Sequence, residues 1–134
     1  LDNQHAWNIR IENGLPIVSV EIKCGEKTVL LTDVLLDTGC ATTIFDTDAL
    51  AQIGIELDII NGRTKRMYGV GGYSEICYEQ IVNNVIIDGK ELASFLLQLG
   101  MTKEIYGFDG ILGVDFMERT GMIIDFKNFI IKYG

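Results

Sequence analysis

The chain has 134 residues, 48% of them apolar, which is enough for one domain with a real core and excludes a disordered polymer. Its formal net charge is −8, and its 11 Lys and Arg are scattered apart from Arg63, Lys65 and Arg66, which argues against a nucleic-acid partner because a phosphate backbone needs a basic face. No apolar stretch reaches the roughly 18 residues of a membrane-spanning helix and no secretory signal stands out, so no membrane partner is expected for this domain.

Residues 1–15 read as an N-terminal arm, in which Trp7, Ile9 and Ile11 alternate with polar residues as in a short edge strand. The only histidine, His5, lies near the end of this arm and is a poor candidate for a general base. Residues 16–134 read as a single domain. Residues 16–22 alternate apolar and polar, the pattern of a half-buried strand. Cys24-Gly25-Glu26 suits a hairpin turn, and residues 29–36 form the return strand. The end of that strand, Val34-Leu35-Leu36, is apolar on both faces, as in a deeply buried strand. Residues 47–54 change period and predict a short helix, with Asp46 or Thr47 as N-cap and Gly54 as its stop. Residues 55–61 read as loop or short strand.

Residues 63–76 predict two strand-like arms around Gly69-Val70-Gly71-Gly72, which lacks the Gly-Lys-Ser/Thr ending of a phosphate loop. Residues 77–87 and 91–99 predict a hairpin joined by Asp88-Gly89. Residues 101–108 read as loop and residues 110–113 as a short apolar strand. Asp115 and Glu118 stand in capping-box spacing, predicting a helix that starts there and ends at Gly121. Residues 122–126 and 129–133 form two last strands around Lys127-Asn128. Strands therefore dominate the chain, with one or two short helices among them.

The stretch with chemical content is Val34-Leu35-Leu36-Asp37-Thr38-Gly39-Cys40. An apolar strand delivers one carboxylate into a tight turn, where Gly39 permits close approach. Cys24, Cys40 and Cys77 are odd in number and contain no Cys-x-x-Cys, so no metal site, cofactor or full disulfide set is expected. Reduced thiols suit a cytosol-like compartment, and the expected location is cytoplasmic. The start at Leu1 without Met suggests a domain of a longer protein.

These residues resemble the retropepsin-like aspartic proteases. The resemblance rests on Leu35-Leu36-Asp37-Thr38-Gly39-Cys40, then Gly69-Val70-Gly71-Gly72, then Ile111-Leu112-Gly113 followed by a helix, and it spans residues 16–133. Ile111-Leu112-Gly113-Val114-Asp115-Phe116-Met117 and Asp125-Phe126-Lys127-Asn128 look closest to the retroviral-like domains of cellular DNA-damage-inducible shuttle proteins. The residue 47–54 helix fits that branch or bacterial cousins better than viral enzymes. The resemblance implies an all-β fold, mainly antiparallel and closed like a barrel, with one or two short helices, and an aspartic endopeptidase in which each chain is half of a homodimer and gives one Asp37. Thr38 would brace the partner's turn, Gly39 would lie against the substrate backbone, and Ile111 would line the site. The hairpin of Gly69, Val70, Gly71 and Gly72 would close as a flap over a polypeptide substrate held as an extended strand. Cys40 replaces the usual Ala or Ser. Ala41 and Val114 replace an acidic residue and an Arg that pair in the retroviral enzymes, which points to a differently built dimer.

The chemistry is consistent with that division. One carboxylate cannot serve at once as general base and general acid, and this chain holds one Asp-Thr-Gly. A homodimer supplies the second acid. Two carboxylates roughly 3 Å apart share one proton, so one partner can activate water while the other polarises the scissile carbonyl. Two other readings are a noncatalytic dimerisation or peptide-binding module of the same fold, and a thiol enzyme using Cys40, for which no base accompanies the thiol.

Overall fold

The computed structural model describes residues 7–68 and 74–134. In chain order the strands are β1 (Trp7–Asn8), β2 (Arg10–Glu12), β3 (Leu15–Cys24), β4 (Lys27–Leu36), β5 (Ile44–Asp46), β6 (Arg63–Tyr68), β7 (Ser74–Ile87), β8 (Lys90–Gly100), β9 (Gly110–Leu112), β10 (Met122–Asp125) and β11 (Ile130–Tyr133). Among the described residues three short helices interrupt them: α1 (Thr47–Ala51), α2 (Thr102–Tyr106) and α3 (Val114–Thr120).

β3 and β4 pair antiparallel across the Gly25-Glu26 turn. β4 then runs parallel to β9, β9 antiparallel to β5, and β5 parallel to β8. β8 pairs antiparallel with β7, and β7 returns to β3 at Ile22↔Ile87. These contacts join β3, β4, β9, β5, β8 and β7 into a ring, with β2 and β6 paired on its outside. The sheet is ring-like and mainly antiparallel, in line with the fold that the resemblance implies. A second sheet has the order β1-β11-β10.

Side-chain alternation divides the apolar residues between two layers. Val18, Val20, Val34, Leu36, Phe45, Leu97, Leu99, Leu112 and Phe116 belong to the main core. Ile17, Leu35, Ile44, Cys77 and Ile111 form a smaller cluster, with Cys40 and Phe108 against it. Neighbours in sequence thus part company: Leu35 enters the small cluster while Val34 and Leu36 enter the main core. This double burial is why the end of β4 is apolar throughout.

β4 carries one more residue than β3 between the pairs Val18↔Val34 and Val20↔Leu31, a β-bulge at Thr32-Asp33. Arg10 holds it by donating to Thr32 O and to Asp33 Oδ1, both at 2.9 Å. From the other side Lys103 Nζ lies 3.2 Å from Asp33 Oδ2, and Asp33 N donates to Asp109 Oδ2 at 3.1 Å.

Four expectations need correction. Residues 101–108 are not all loop, because α2 forms there. Its Lys103 N–H donates to Asp46 Oδ1 at 3.0 Å, and Gly107 closes it in the left-handed region at φ 85°. That cap comes from a residue 57 positions away, where no local pattern shows it. Asp115 and Glu118 do not form a capping box: α3 starts at Val114 with Gly113 as its N-cap, and the Asp115 carboxylate is engaged elsewhere. The arm ending at residue 76 and the strand starting at residue 77 are one continuous β7. The single edge strand near Trp7 is two strands, because Ile9 N turns aside to donate to Phe129 O at 2.6 Å. The residue 47–54 helix is present as α1, with Asp46 as N-cap and Gly54 beyond it at φ 82°.

The C-terminal strand is tied to the β7–β8 turn by the Tyr133 hydroxyl, which donates to Asp88 Oδ2 at 2.5 Å with both residues buried. Burial first, and then this bond and the Asp88 charge, push the Tyr133 phenol far above the ordinary tyrosine value. Tyr133→Phe leaves a buried carboxylate oxygen without its donor and is expected to cost about 1–3 kcal/mol in urea unfolding at neutral pH. The raised phenol contributes fully below about pH 10, where tyrosine ionises in the unfolded chain, and its contribution falls as pH rises further. The gap between wild type and Tyr133→Phe should therefore shrink above about pH 10.

Candidate active site

Asp37 leaves the sheet at the end of β4, where its N–H still donates to Leu112 O at 3.1 Å. The chain then turns over Thr38 and Gly39, and Cys40 N donates back to Asp37 O at 3.1 Å. Gly39 N donates to Asp37 Oδ1 at 2.8 Å, orienting the carboxylate. A Cβ on Gly39 would stand 3.1 Å from that same oxygen, so this position favours glycine. Asp37 is half-buried, while Thr38 and Gly39 are exposed.

The turn is held against the β9–α3 junction. Val114 N donates to Cys40 O at 2.8 Å, and Asp115 N to Ala41 O at 3.2 Å. Thr43 is wholly buried. Its N–H and hydroxyl donate to Asp115 Oδ1 at 3.0 and 2.7 Å, and its hydroxyl oxygen accepts from Gly113 N at 3.0 Å. Gly113 lies so close that an added Cβ would meet Cys40 O at 2.6 Å and the Thr42 backbone at 3.0 Å. No side chain larger than hydrogen fits there without moving the turn.

Beneath the turn lies the small apolar cluster. Leu35 precedes Asp37 by two residues and pairs with Ile111, which pairs in turn with Ile44. Ile111 is 8% exposed in the single chain. The Cys40 thiol donates to Thr42 O at 3.1 Å. Burial pushes this thiol above its ordinary value, the Thr42 bond opposes the shift, and the charges of Asp37 and Asp115 add to it. An activated cysteine shows the opposite shift. Among the described residues no group of three or more His, Cys, Asp or Glu side chains could hold a metal ion, and no helix is long and apolar enough to cross a membrane.

The chain superposes on a solved retropepsin-like aspartic protease from Rickettsia conorii with a TM-score of 0.63, at 19% identity, over 98% of this chain and 94% of that one. The chain has the retropepsin-like fold. The retroviral protease-like domain of Ddi1 from Leishmania major shares it, with a TM-score of 0.52 at 17% identity over 87% of each chain. No family model matches the sequence, and no curated protein does.

On the retropepsin-like fold of this chain, Asp37, Thr38, Gly39 and Ile111 come together at the adjoining ends of β4 and β9. Gly69, Val70, Gly71 and Gly72 lie outside the described residues; the arms that lead to them, β6 and β7, pair as far as Tyr68↔Ser74. Sequence reasoning missed Thr43 and the true task of Asp115. Their hydrogen bonds link residues 72 positions apart, and neither residue carries a local signal of the other.

Gly113→Ala drives a methyl group into the backbone of Cys40 and Thr42 and should destabilise the fold by about 1–3 kcal/mol, read as a lowered thermal midpoint. Thr43→Val keeps the shape but strips Asp115 and Gly113 of a hydroxyl partner, with an expected cost of about 1–3 kcal/mol in the same assay.

Proposed function

We propose that this chain is one half of an aspartic endopeptidase whose site is completed by a second copy. The observation that carries this reading is a single half-buried carboxylate, Asp37, fixed in a braced turn on a retropepsin-like fold. Two such turns facing each other across a two-fold axis would bring two Asp37 carboxylates together. One, ionised, takes a proton from a bridging water; the other, protonated, polarises the scissile carbonyl. Thr38, exposed beside each acid, would brace the opposite turn. Gly39 would lie against the substrate backbone, Ile111 and Leu35 would line the apolar subsites, and Gly69, Val70, Gly71 and Gly72 would cover the peptide. The fold is shared with the Rickettsia conorii aspartic protease and with the Leishmania major protease-like domain, which supports the same reading.

The terminal sheet supports pairing. Ile123 in β10 is 44% exposed, Phe126 and Phe129 in the β10–β11 connection are 55% and 47% exposed, and β10 is an edge strand among the described residues. The raised Cys40 thiol weighs against a thiol enzyme.

Asp37→Asn removes the base from both halves and keeps the side-chain volume. Peptide cleavage should vanish while light scattering still reports a dimer. A folded, dimeric Asp37→Asn protein that cleaves at the wild-type rate would sink the mechanism. Wild-type activity should rise and then fall with pH, because the pair needs one proton. Gly71→Val should reduce turnover more than stability, since a branched side chain restricts the backbone.

A further inference from the structure

Register places one row of side chains on a single face of the ring. Ile17 pairs with Leu35, Leu35 with Ile111, Ile111 with Ile44 and Ile44 with Gln98. Gln98 pairs with Glu79, and Glu79 with Arg63. Directly paired residues share a face, so the apolar floor beneath Asp37 continues without a break into Gln98, Glu79 and Arg63. Two residues along β6, Lys65 pairs with Cys77 of the same floor and therefore stands on the same face as Arg63.

The end of this row has an unusual charge arrangement. Glu79 is 2% exposed, yet it carries two cations: Arg63 Nε donates to its Oε1 at 2.7 Å, and Lys65 Nζ lies 3.7 Å from its Oε2. Burial opposes ionisation of Glu79, but the Arg63 bond, the Lys65 and Arg63 charges and the Gln98 side chain outweigh it and hold the carboxyl below its usual range. Among the described side chains, Glu79 is the anion that the two share, and it lies underneath. The side chains of Arg63 and Lys65 are 75% and 50% exposed above it. What a ligand meets here is two cations, one in excess of the buried charge, in a chain whose net charge is −8.

We infer that Arg63 and Lys65, set on the buried Glu79, form a subsite for an acidic side chain of the bound peptide. The inference rests on the peptide-cleaving reading for the location of the cleft and adds the chemistry of one position in the substrate. Glu79 anchors the two long cations, lowering the entropy lost when they meet a carboxylate. Four strand spacings separate Leu35 from Glu79 along the row, a path of at most about 20 Å that an extended peptide covers in about six residues. The selected acid therefore stands within about six residues of the bond held over Asp37.

The test uses the 134-residue chain carrying Asp37→Asn, exposed to a random peptide library at moderate salt, with retained peptides sequenced. Asp or Glu at one fixed position should be enriched at least about fivefold over Asn or Gln. Adding Lys65→Gln should flatten that preference, and Lys65→Glu should turn it towards Lys or Arg at the same position, leaving apolar preferences elsewhere unchanged. Both substitutions alter a half-exposed side chain, and circular dichroism checks that each variant is folded. Retention with no charge preference, a preference that neither Lys65 variant alters, or no retention at all overturns the inference. Cleavage by the unsubstituted protein is scored separately: acid-selective retention without cleavage refutes the proposed activity and leaves the subsite standing.

Discussion

The structure depends on one close approach, that of the turn after β4 to Gly113. Backbone lies on backbone there, with the amides of Val114 and Asp115 reaching the carbonyls of Cys40 and Ala41. Thr43 and Asp115 close the gap with part-buried hydrogen bonds to each other and a buried one from Gly113 N to the Thr43 hydroxyl. Because β9 is parallel to β4 and antiparallel to β5, the same three-residue strand supports the turn from below and receives the chain as it leaves. The carboxylate of Asp37 is thereby held by rigid elements, although it sits in a loop.

Much of this was legible in the sequence. Alternation in residues 16–22 and the turn at Gly25-Glu26 led to the β3–β4 hairpin, and the fully apolar Val34-Leu35-Leu36 correctly signalled burial on both faces. The passage of an apolar strand into a tight turn at Asp37, Thr38 and Gly39 was legible too, and the turn is present, with Gly39 N donating to Asp37 Oδ1. What escaped was non-local. Helix α2 begins under the carboxylate of Asp46, and the spacing of Asp115 and Glu118 imitated a local cap while Asp115 served Thr43 across the fold. Propensity describes neighbours in the chain, and these bonds join neighbours in space.

Charge follows the same division between local and distant. The chain is acidic overall, and Arg63, Lys65 and Arg66 first read only as a cluster too small to hold nucleic acid. Pairing with a buried Glu79 gives two of them a fixed position at the end of the apolar floor. Left unpaired, this buried carboxylate would be costly, and the two cations compensate it.

The bulge at Thr32-Asp33 has a consequence for how such chains can vary in length. A strand presents successive residues to opposite faces, so the extra residue in β4 exchanges inside for outside from Val34 onward. It is this exchange that puts Leu35 under the turn and leaves Val34 and Leu36 to the main core. Insertions and deletions between Leu31 and Val34 are thus counted in parity. An even change keeps the acid on its own side of the sheet, and an odd one turns the whole end of the strand over. Arg10, Lys103 and Asp109, which grip Asp33 from three separate segments, act as a ratchet against slippage by a single residue.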